Sequence, residues 1–430
     1  MRRLKTISNT NNHESHTNSH EFANENIRVD SCVISVNSCS KNIFQKHLLE
    51  LEQRGLRRSL KTLESESDSW FIIDGKRVLN LCSNNYLGLA NDKRMKQAAA
   101  QAVKKYGCGS GASRLVCGNM SLHEKLEEEI AKFKKCEACL VFNSGYTANI
   151  GIISALVGRD DVVFCDKLNH ASIIDGIILS RAELIRYPHK DTAALEKFIK
   201  ESGDFKNKLI VTDSVFSMDG DIAPLGDLIN LAKKYDCILM IDEAHATGVL
   251  GENGRGALEY LGLENKKDGI IQMGTLSKAL GGFGAYVCGS KDLVDYLINK
   301  SRAFIYTTSL PPAVIAADIK ALEIVQSGKS LRIKLRENIR FFKKGLKALG
   351  FDAGGDETAI IPLIIKDSKL TMEFSRRLFD EGIFVQGIRP PTVAQGQARL
   401  RITLMAKHTR KDLQFALDKI EKVAKKLCLT

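Results

Sequence analysis

Lys278 sits among small and hydroxyl residues in Gly274-Thr275-Leu276-Ser277-Lys278-Ala279-Leu280-Gly281-Gly282. Upstream, Asp242-Glu243-Ala244-His245 follows the apolar run Ile238-Leu239-Met240-Ile241. A lysine between hydroxyls and glycines can form a Schiff base with an aldehyde cofactor. An aspartate ending an apolar strand can pair with a pyridinium nitrogen. Both features suit pyridoxal 5'-phosphate (PLP), whose chemistry uses a lysine imine and an acidic partner for the ring nitrogen. Each segment alone also fits a glycine-rich loop with a surface lysine; the two together, in this order, favour the cofactor. A third segment, Ser144-Gly145-Tyr146, lies between an apolar run and the helix-like stretch 147–156. A helix N-terminus offers free N–H groups and a positive dipole end to a phosphate, and Gly145 lets the backbone come close.

These residues need a scaffold that brings strand ends together. From about 90 to 310, apolar strand candidates alternate with helical stretches: 139–142, 162–165, 209–212, 238–241 and 270–273. Such alternation predicts βαβ units and a mostly parallel, helix-covered sheet. Asp242 then lies at a strand carboxyl end, where open α/β sheets bind ligands. Short strands are expected at Trp70-Phe71-Ile72-Ile73 and Val78-Leu79-Asn80-Leu81, after a helix over Phe44 to Leu60. Beyond Pro311-Pro312 a long helical stretch precedes strand candidates at 360–365, 383–386 and 400–403 and a closing helix, which fits a smaller α+β domain. The expected organisation is a disordered extension over 1–42, a joining segment over 43–90, a large domain over 91–310 and a small domain over 311–430.

The chain has 430 residues, 44% hydrophobic and 27% charged, ordinary for a globular protein. No apolar run approaches the roughly 18 residues of a membrane span. The 11 cysteines are scattered, which reads as reduced thiols in a cytoplasmic protein. The lone Cys136-x-x-Cys139 has no second pair, so buried thiols explain it better than a metal, and no metal site is expected. The net charge of +12 is concentrated locally. Lys329, Arg332, Lys334, Arg336, Arg340, Lys343, Lys344 and Lys347 alternate with Leu331, Leu335, Ile339, Phe342 and Leu346 at helical spacing, giving an amphipathic helix with a basic solvated face. No recognised motif or aromatic interleaving accompanies the charge, so nucleic-acid binding is not expected. Gly107-Cys108-Gly109-Ser110-Gly111 follows a helical stretch rather than a strand and fails the context of a dinucleotide fingerprint. Acidic residues Glu14, Glu21, Glu25 and Asp30 argue against a transit peptide in the first residues.

At these motifs the chain resembles the α-oxoamine synthases, PLP enzymes of fold type I, over roughly residues 45 to 425. Ser83-Asn84-Asn85-Tyr86-Leu87-Gly88-Leu89, Gly109-Ser110-Gly111-Ala112-Ser113-Arg114, Asn143-Ser144-Gly145-Tyr146, Asn169-His170-Ala171-Ser172 and Phe216-Ser217-Met218-Asp219-Gly220-Asp221 carry the resemblance further. It implies a PLP-dependent transferase of fold type I: a large domain with a mostly parallel seven-stranded-type sheet between helices, plus a smaller C-terminal α+β domain. It also implies a decarboxylative condensation of an amino acid with an acyl-CoA or acyl-carrier-protein thioester. Gly387-Ile388-Arg389-Pro390-Pro391-Thr392-Val393 and Ala398-Arg399-Leu400-Arg401 lean toward the branch that joins L-alanine to a pimeloyl chain in biotin synthesis. Ala394 departs from that branch, which usually has proline there.

By the same resemblance, Lys278, Asp242, His245 and His170 are the catalytic set, with His170 stacking on the pyridine ring and His245 and Ser217 near its phenolic oxygen. Ser144, Gly145, Tyr146 and Thr275 would bind the cofactor phosphate, and Thr308 would reach it from a partner subunit, which implies a homodimer. Arg401 would grip the amino-acid carboxylate, since a guanidinium binds carboxylate bidentately. Asn84 would assist, and Arg57 would meet the distal carboxylate of the pimeloyl chain. Sibling condensations of glycine or serine remain as alternatives. A non-catalytic partner subunit of the same fold would be expected to lack Lys278.

Overall fold

The computed structural model describes residues 32–429. It divides into an N-terminal unit that ends at Lys61 and a main unit from Thr62 onward. In the first, one helix spans Cys32–Gln53, so it starts upstream of the expected Phe44 and stops before Leu60. The stop is a left-handed turn: Gly55 adopts φ 64°, and the N–H groups of Gly55 and Leu56 return to the carbonyls of Glu52 and Leu51. Of the expected disordered extension, residues 1–31 lie outside the described residues, and 32–42 are helical.

The main unit opens with the hairpin β1 (Trp70–Ile73) and β2 (Lys76–Asn80). The large sheet follows: β3 (Ala138–Phe142), β4 (Val162–Asp166), β5 (Glu183–Tyr187), β6 (Lys208–Asp213), β7 (Ile238–Asp242), β8 (Ile270–Thr275) and β9 (Ala285–Gly289). Last come β10 (Ile360–Lys366), β11 (Ile383–Phe384), β12 (Gln386–Ile388) and β13 (Ala398–Thr403). The large sheet has seven strands in the order β3-β9-β8-β7-β6-β4-β5. Only β9 runs antiparallel to its neighbours; the other pairings are parallel. Side chains alternate between two apolar layers. Val141, Phe164, Ile210 and Ile241 face one, and Leu140, Val163, Leu209 and Met240 face the other. A sheet buried on both faces needs near-continuous apolar strands, which is why these runs stand out in the sequence.

Helices 145–156 and 171–180 pack together on one face. Their approach is close because Gly176 has no side chain: a Cβ there would lie 3.0 Å from the Asn149 carbonyl oxygen and 3.3 Å from Ile150 Cα. Helix Pro312–Ser327 packs along helices 93–106 and 121–134. Helix Lys329–Ala348 buries Leu335, Ile339, Phe342 and Leu346 as its pattern requires. Arg332 departs from the expected solvated basic face. It is 2% exposed and donates to the carbonyls of Val325 at 2.6 Å and Glu252 at 2.9 and 3.1 Å. Satisfying these carbonyls is its role, and burial lowers its pKa. No helix among the described residues is long and apolar enough to cross a membrane.

Two small sheets complete the unit, β1-β2-β11 and β10-β13-β12. They tether the segment after β2. Leu81 N–H donates to the Phe384 carbonyl at 2.9 Å, Thr403 N–H to Leu81 at 2.8 Å, and Ala406 N–H to Tyr86 at 2.7 Å. Residues 81–86 are thereby held against the strand that carries Arg401.

The loop after β6 has its own anchor. His189 bridges Asp166 Oδ1 at 3.0 Å and Asp221 Oδ2 at 2.8 Å, and it meets the Phe216 ring edge-on at 4.4 Å between centroids. Burial alone would lower the imidazole pKa, but the two carboxylates outweigh it and push it up to about 9. The unfolded value is about 6.5. This contribution to stability is therefore full below about 6.5 and is lost as pH rises through about 9. Urea unfolding midpoints should fall across that window, and His189→Gln should flatten the fall. An equal slope in both proteins would refute the assignment.

Candidate active site

The carboxyl ends of β6, β7 and β8 meet at one side of the large sheet. Asp213 and Asp242 are directly opposite in the β6–β7 register, and both are buried. Asp242 Oδ1 accepts from the Ala244 N–H at 2.8 Å, and Oδ2 accepts from Asn149 Nδ2 at 2.8 Å. Asn149 also donates to Ser172 Oγ at 2.8 Å, which lies 2.8 Å from His170 Nδ1. Asp213 Oδ2 accepts from the His170 N–H at 2.7 Å. Burial, with Asp242 alongside, pushes the Asp213 carboxyl well above the usual carboxylate range.

Lys278 follows β8 in a turn closed by Gly281 N–H to the Lys278 carbonyl and Gly282 N–H to the Leu276 carbonyl, both at 3.0 Å. The turn requires glycine at 281: φ is 69°, and a Cβ would lie 2.3 Å from Ala90 N. Lys278 Nζ stands 3.0 Å from His245 Nε2. Burial disfavours the ammonium and lowers the Lys278 pKa to about 8, although Asp242 and Asp213 pull the other way. Burial also drives the His245 pKa well below its usual value, and Lys278 reinforces the shift. A lysine so tuned can exchange protons near neutrality.

From His245 a hydrogen-bonded chain runs to the far wall. His245 Nδ1 lies 2.6 Å from Tyr86 Oη. Tyr86 Oη donates to Asn84 Oδ1 at 3.1 Å, and that oxygen also accepts from both Arg401 terminal nitrogens at 3.1 and 3.2 Å. Arg401 Nε donates to the Ser217 carbonyl at 2.6 Å. A cavity of about 360 Å³ opens between these groups, lined by His170, Ser217, His245, Lys278, Asn84 and Arg401, with Cys82, Met218, Gln386 and Ile388 at its wall. It is lined by a depressed-pKa lysine and an arginine, and a buried carboxylate, Asp242, lies near the lysine. The arrangement can hold a carboxylate-bearing substrate and move a proton beside it.

The model of the aminotransferase class I and II family matches residues 76–420. The 8-amino-7-oxononanoate synthase of Citrifermentans bemidjiense is 57% identical over 387 residues, covering 89% of this chain and 98% of that protein. The chain belongs to the α-oxoamine synthases of that family. Among solved structures, serine palmitoyltransferase from S. paucimobilis with a bound PLP–myriocin aldimine superposes with TM-score 0.85 at 31% identity, covering 90% of this chain and 98% of that one. The 8-amino-7-oxononanoate synthase of Francisella tularensis gives TM-score 0.70 at 34% identity, covering 81% and 98%.

In this α-oxoamine synthase, Lys278, His245, His170, Ser217, Asn84 and Arg401 come together around one cavity, and Asp242 lies buried behind it, near enough to act on the Lys278 and His170 charges. Ser144 caps helix Gly145–Leu156 by accepting from the Thr147 N–H at 3.1 Å. Its hydroxyl is therefore engaged within the turn, while Gly145 and Tyr146 form the first helical positions. The Tyr146 side chain is 47% exposed and donates to Asp175. Thr275 Oγ1 donates to the Gly284 carbonyl at 2.9 Å and lies 2.7 Å from Ser277 Oγ. Thr308 offers its carbonyl to Asn143 Nδ2 at 2.8 Å, beside the Ser144 turn of its own chain. Arg57 belongs to the N-terminal unit, where it donates to Glu52 at 2.7 Å. Sequence reasoning missed Tyr86, Asn149 and Asp213. Asp213 carries the signal that found Asp242, a carboxylate ending an apolar strand.

Proposed function

We propose that this protein is a PLP-dependent acyltransferase that condenses L-alanine with a pimeloyl thioester, with loss of CO2, to give 8-amino-7-oxononanoate in biotin synthesis. The observation that carries the reading is a cavity lined by both Lys278 and Arg401, with Asp242 buried behind it and close enough to act on the Lys278 charge. The relatives' names supply the substrate pair. Backbone similarity is higher to serine palmitoyltransferase, whereas sequence identity is higher to 8-amino-7-oxononanoate synthase. Identity is the better guide here, because specificity is set by side chains grafted on a shared fold.

The residues fit PLP. Asp242 is a buried carboxylate whose oxygens accept hydrogen bonds from Ala244 and Asn149, so it is oriented to hold a proton on a ring nitrogen. The helix that begins at Gly145 presents its N-terminus to a phosphate, with Ser144, Tyr146 and Thr275 around it. When bound, PLP supplies an electron sink for charge at the substrate α-carbon. Lys278 would hold the cofactor and, with its pKa lowered to about 8, would accept the proton from that carbon. Arg401, with Asn84, would grip the substrate carboxylate and so orient the substrate α-carbon beside Lys278. His170, His245 and Ser217 line the same cavity, where His170 would stack on the cofactor and His245 and Ser217 would lie near its oxygen substituent.

The active form is a homodimer in which Thr308 reaches the partner's phosphate site. Leu115 and Val116, 53% and 77% exposed, lie beside helix 302–305, with Tyr306 next to it 71% exposed. Exposed apolar groups adjoining Thr308 are what a second copy would cover. The compartment is the cytoplasm, in keeping with free thiols such as Cys136 and Cys139.

The test is turnover by the purified chain with PLP and pimeloyl-CoA, supplied with L-alanine, glycine or L-serine. CO2 release and 8-amino-7-oxononanoate formation are expected with alanine. Turnover confined to glycine or serine would move the function to a sibling condensation.

A further inference from the structure

Tyr86 lies outside the set of residues assigned above, yet it is the middle of the chain from Lys278 to Arg401. Its side chain is fully buried, and burial raises its pKa to about 12, so it is a neutral phenol with one proton to give. The direction of that proton follows from the far end. Both Arg401 terminal nitrogens can only donate, and they point at Asn84 Oδ1. The amide therefore presents its oxygen to Tyr86, and the phenol donates to it. With its proton spent on Asn84, Tyr86 Oη can only accept from His245 Nδ1 at 2.6 Å. His245 then carries its proton on Nδ1 and offers a lone pair on Nε2 to Lys278 at 3.0 Å.

We propose that Tyr86 sets the tautomer of His245 and thereby orients Lys278 Nζ, acting as a positioning residue for the lysine. The proposal rests on the reading of Lys278 as the reactive base. While Lys278 is an ammonium, it enforces the same tautomer by itself. The role of Tyr86 emerges once the lysine is neutral, when either tautomer could face Nζ. An N–H on Nε2 would then donate to the lysine lone pair and withdraw it from the substrate. The Nδ1–H form instead accepts a lysine N–H and leaves the lone pair free. Asp242, Asp213 and Arg401 face Lys278, and Lys278, Arg401 and His170 face His245. None of these other than Lys278 is hydrogen-bonded to the His245 ring in the observed geometry, so Tyr86 is the partner at Nδ1.

The experiment is histidine 15N NMR on the full chain without cofactor, above the Lys278 pKa of about 8. His245 is assigned by its loss in His245→Asn. Wild type should show the Nδ1–H tautomer, and Tyr86→Phe should shift it toward Nε2–H. Retention of Nδ1–H in Tyr86→Phe overturns the proposal. If that variant fails to fold, Asn84→Ala replaces it. There the phenol, deprived of its acceptor, turns its proton to Nδ1, and the same shift is expected. In turnover, Tyr86→Phe should lower kcat by about tenfold, less than the ~10²–10⁴-fold of losing the proton-transfer group itself because Lys278 is retained, with KM for the amino acid little changed. A shifted tautomer with unchanged kcat overturns the link to Lys278. A wild-type chain that neither binds PLP nor turns over would defeat the enzymatic reading and leave the tautomer result standing on its own.

Discussion

Lys278→Ala is expected to abolish the visible absorbance that PLP gains on covalent attachment to the chain, and to lower kcat by ~10⁴-fold or more. Two roles are lost together: the anchor for the aldehyde and the base beside the substrate carbon. Other lysines should not substitute. Lys278 is the lysine whose Nζ meets His245 in the cavity, and burial has already lowered its pKa to about 8. Added alkylamines can return part of the base function without restoring the anchor. The fold should survive, because removing a buried cation relieves a desolvation cost even as it opens a space beside His245. Absorption spectra and turnover of the purified variant check both parts. A normal PLP spectrum in Lys278→Ala would remove the foundation of the site.

Asp242→Asn separates electrostatics from shape. The carboxylate accepts from Ala244 N–H at one oxygen and from Asn149 at the other. An amide has one acceptor oxygen, so one buried donor must face an NH2 group. That mismatch is expected to cost about 1–3 kcal/mol of stability. The amide also cannot hold a proton on the cofactor ring as a carboxylate does. A loss of about 10²–10³ in kcat is expected, in line with removal of a preorganised electrostatic group. KM for the amino acid should change little, because Arg401 is held by Ser217 and Asn84 away from the substitution. A large rise in KM with unchanged kcat would assign Asp242 to substrate binding instead.

What could be read from the chain follows from where the physical signal resides. Strands β6, β7 and β8 are covered on both faces, so each is a short apolar run that no loop would carry. Strand β5 is at the sheet edge, and its Glu183 is exposed, so its sequence Glu183-Leu184-Ile185-Arg186-Tyr187 does not stand out. Strand β9, Ala285-Tyr286-Val287-Cys288-Gly289, is short and apolar, but its antiparallel direction between β3 and β8 is not written in any local pattern. Arg332 reads as surface charge because helical spacing reports a face, not the carbonyls that happen to meet it.

The site divides in the same way. Lys278 and Asp242 sit in local motifs whose residue types already state a chemistry. Tyr86, Asn149 and Asp213 act by meeting distant segments: Tyr86 with His245, Asn149 with Asp242, Asp213 with the His170 backbone. Those meetings depend on sheet register and on the close packing at Gly176, and sequence spacing contains neither. The wide cavity between Lys278 and Arg401 likewise joins a β8 turn to a strand of a different sheet.

The central claim is that Lys278 is the residue that takes the cofactor aldehyde. Incubation of the full chain with PLP, reduction with borohydride and peptide mass mapping test it directly. The pyridoxyl adduct should appear on the peptide containing Lys278 at about one per chain. An adduct spread over other lysines, or none at all, would contradict the account.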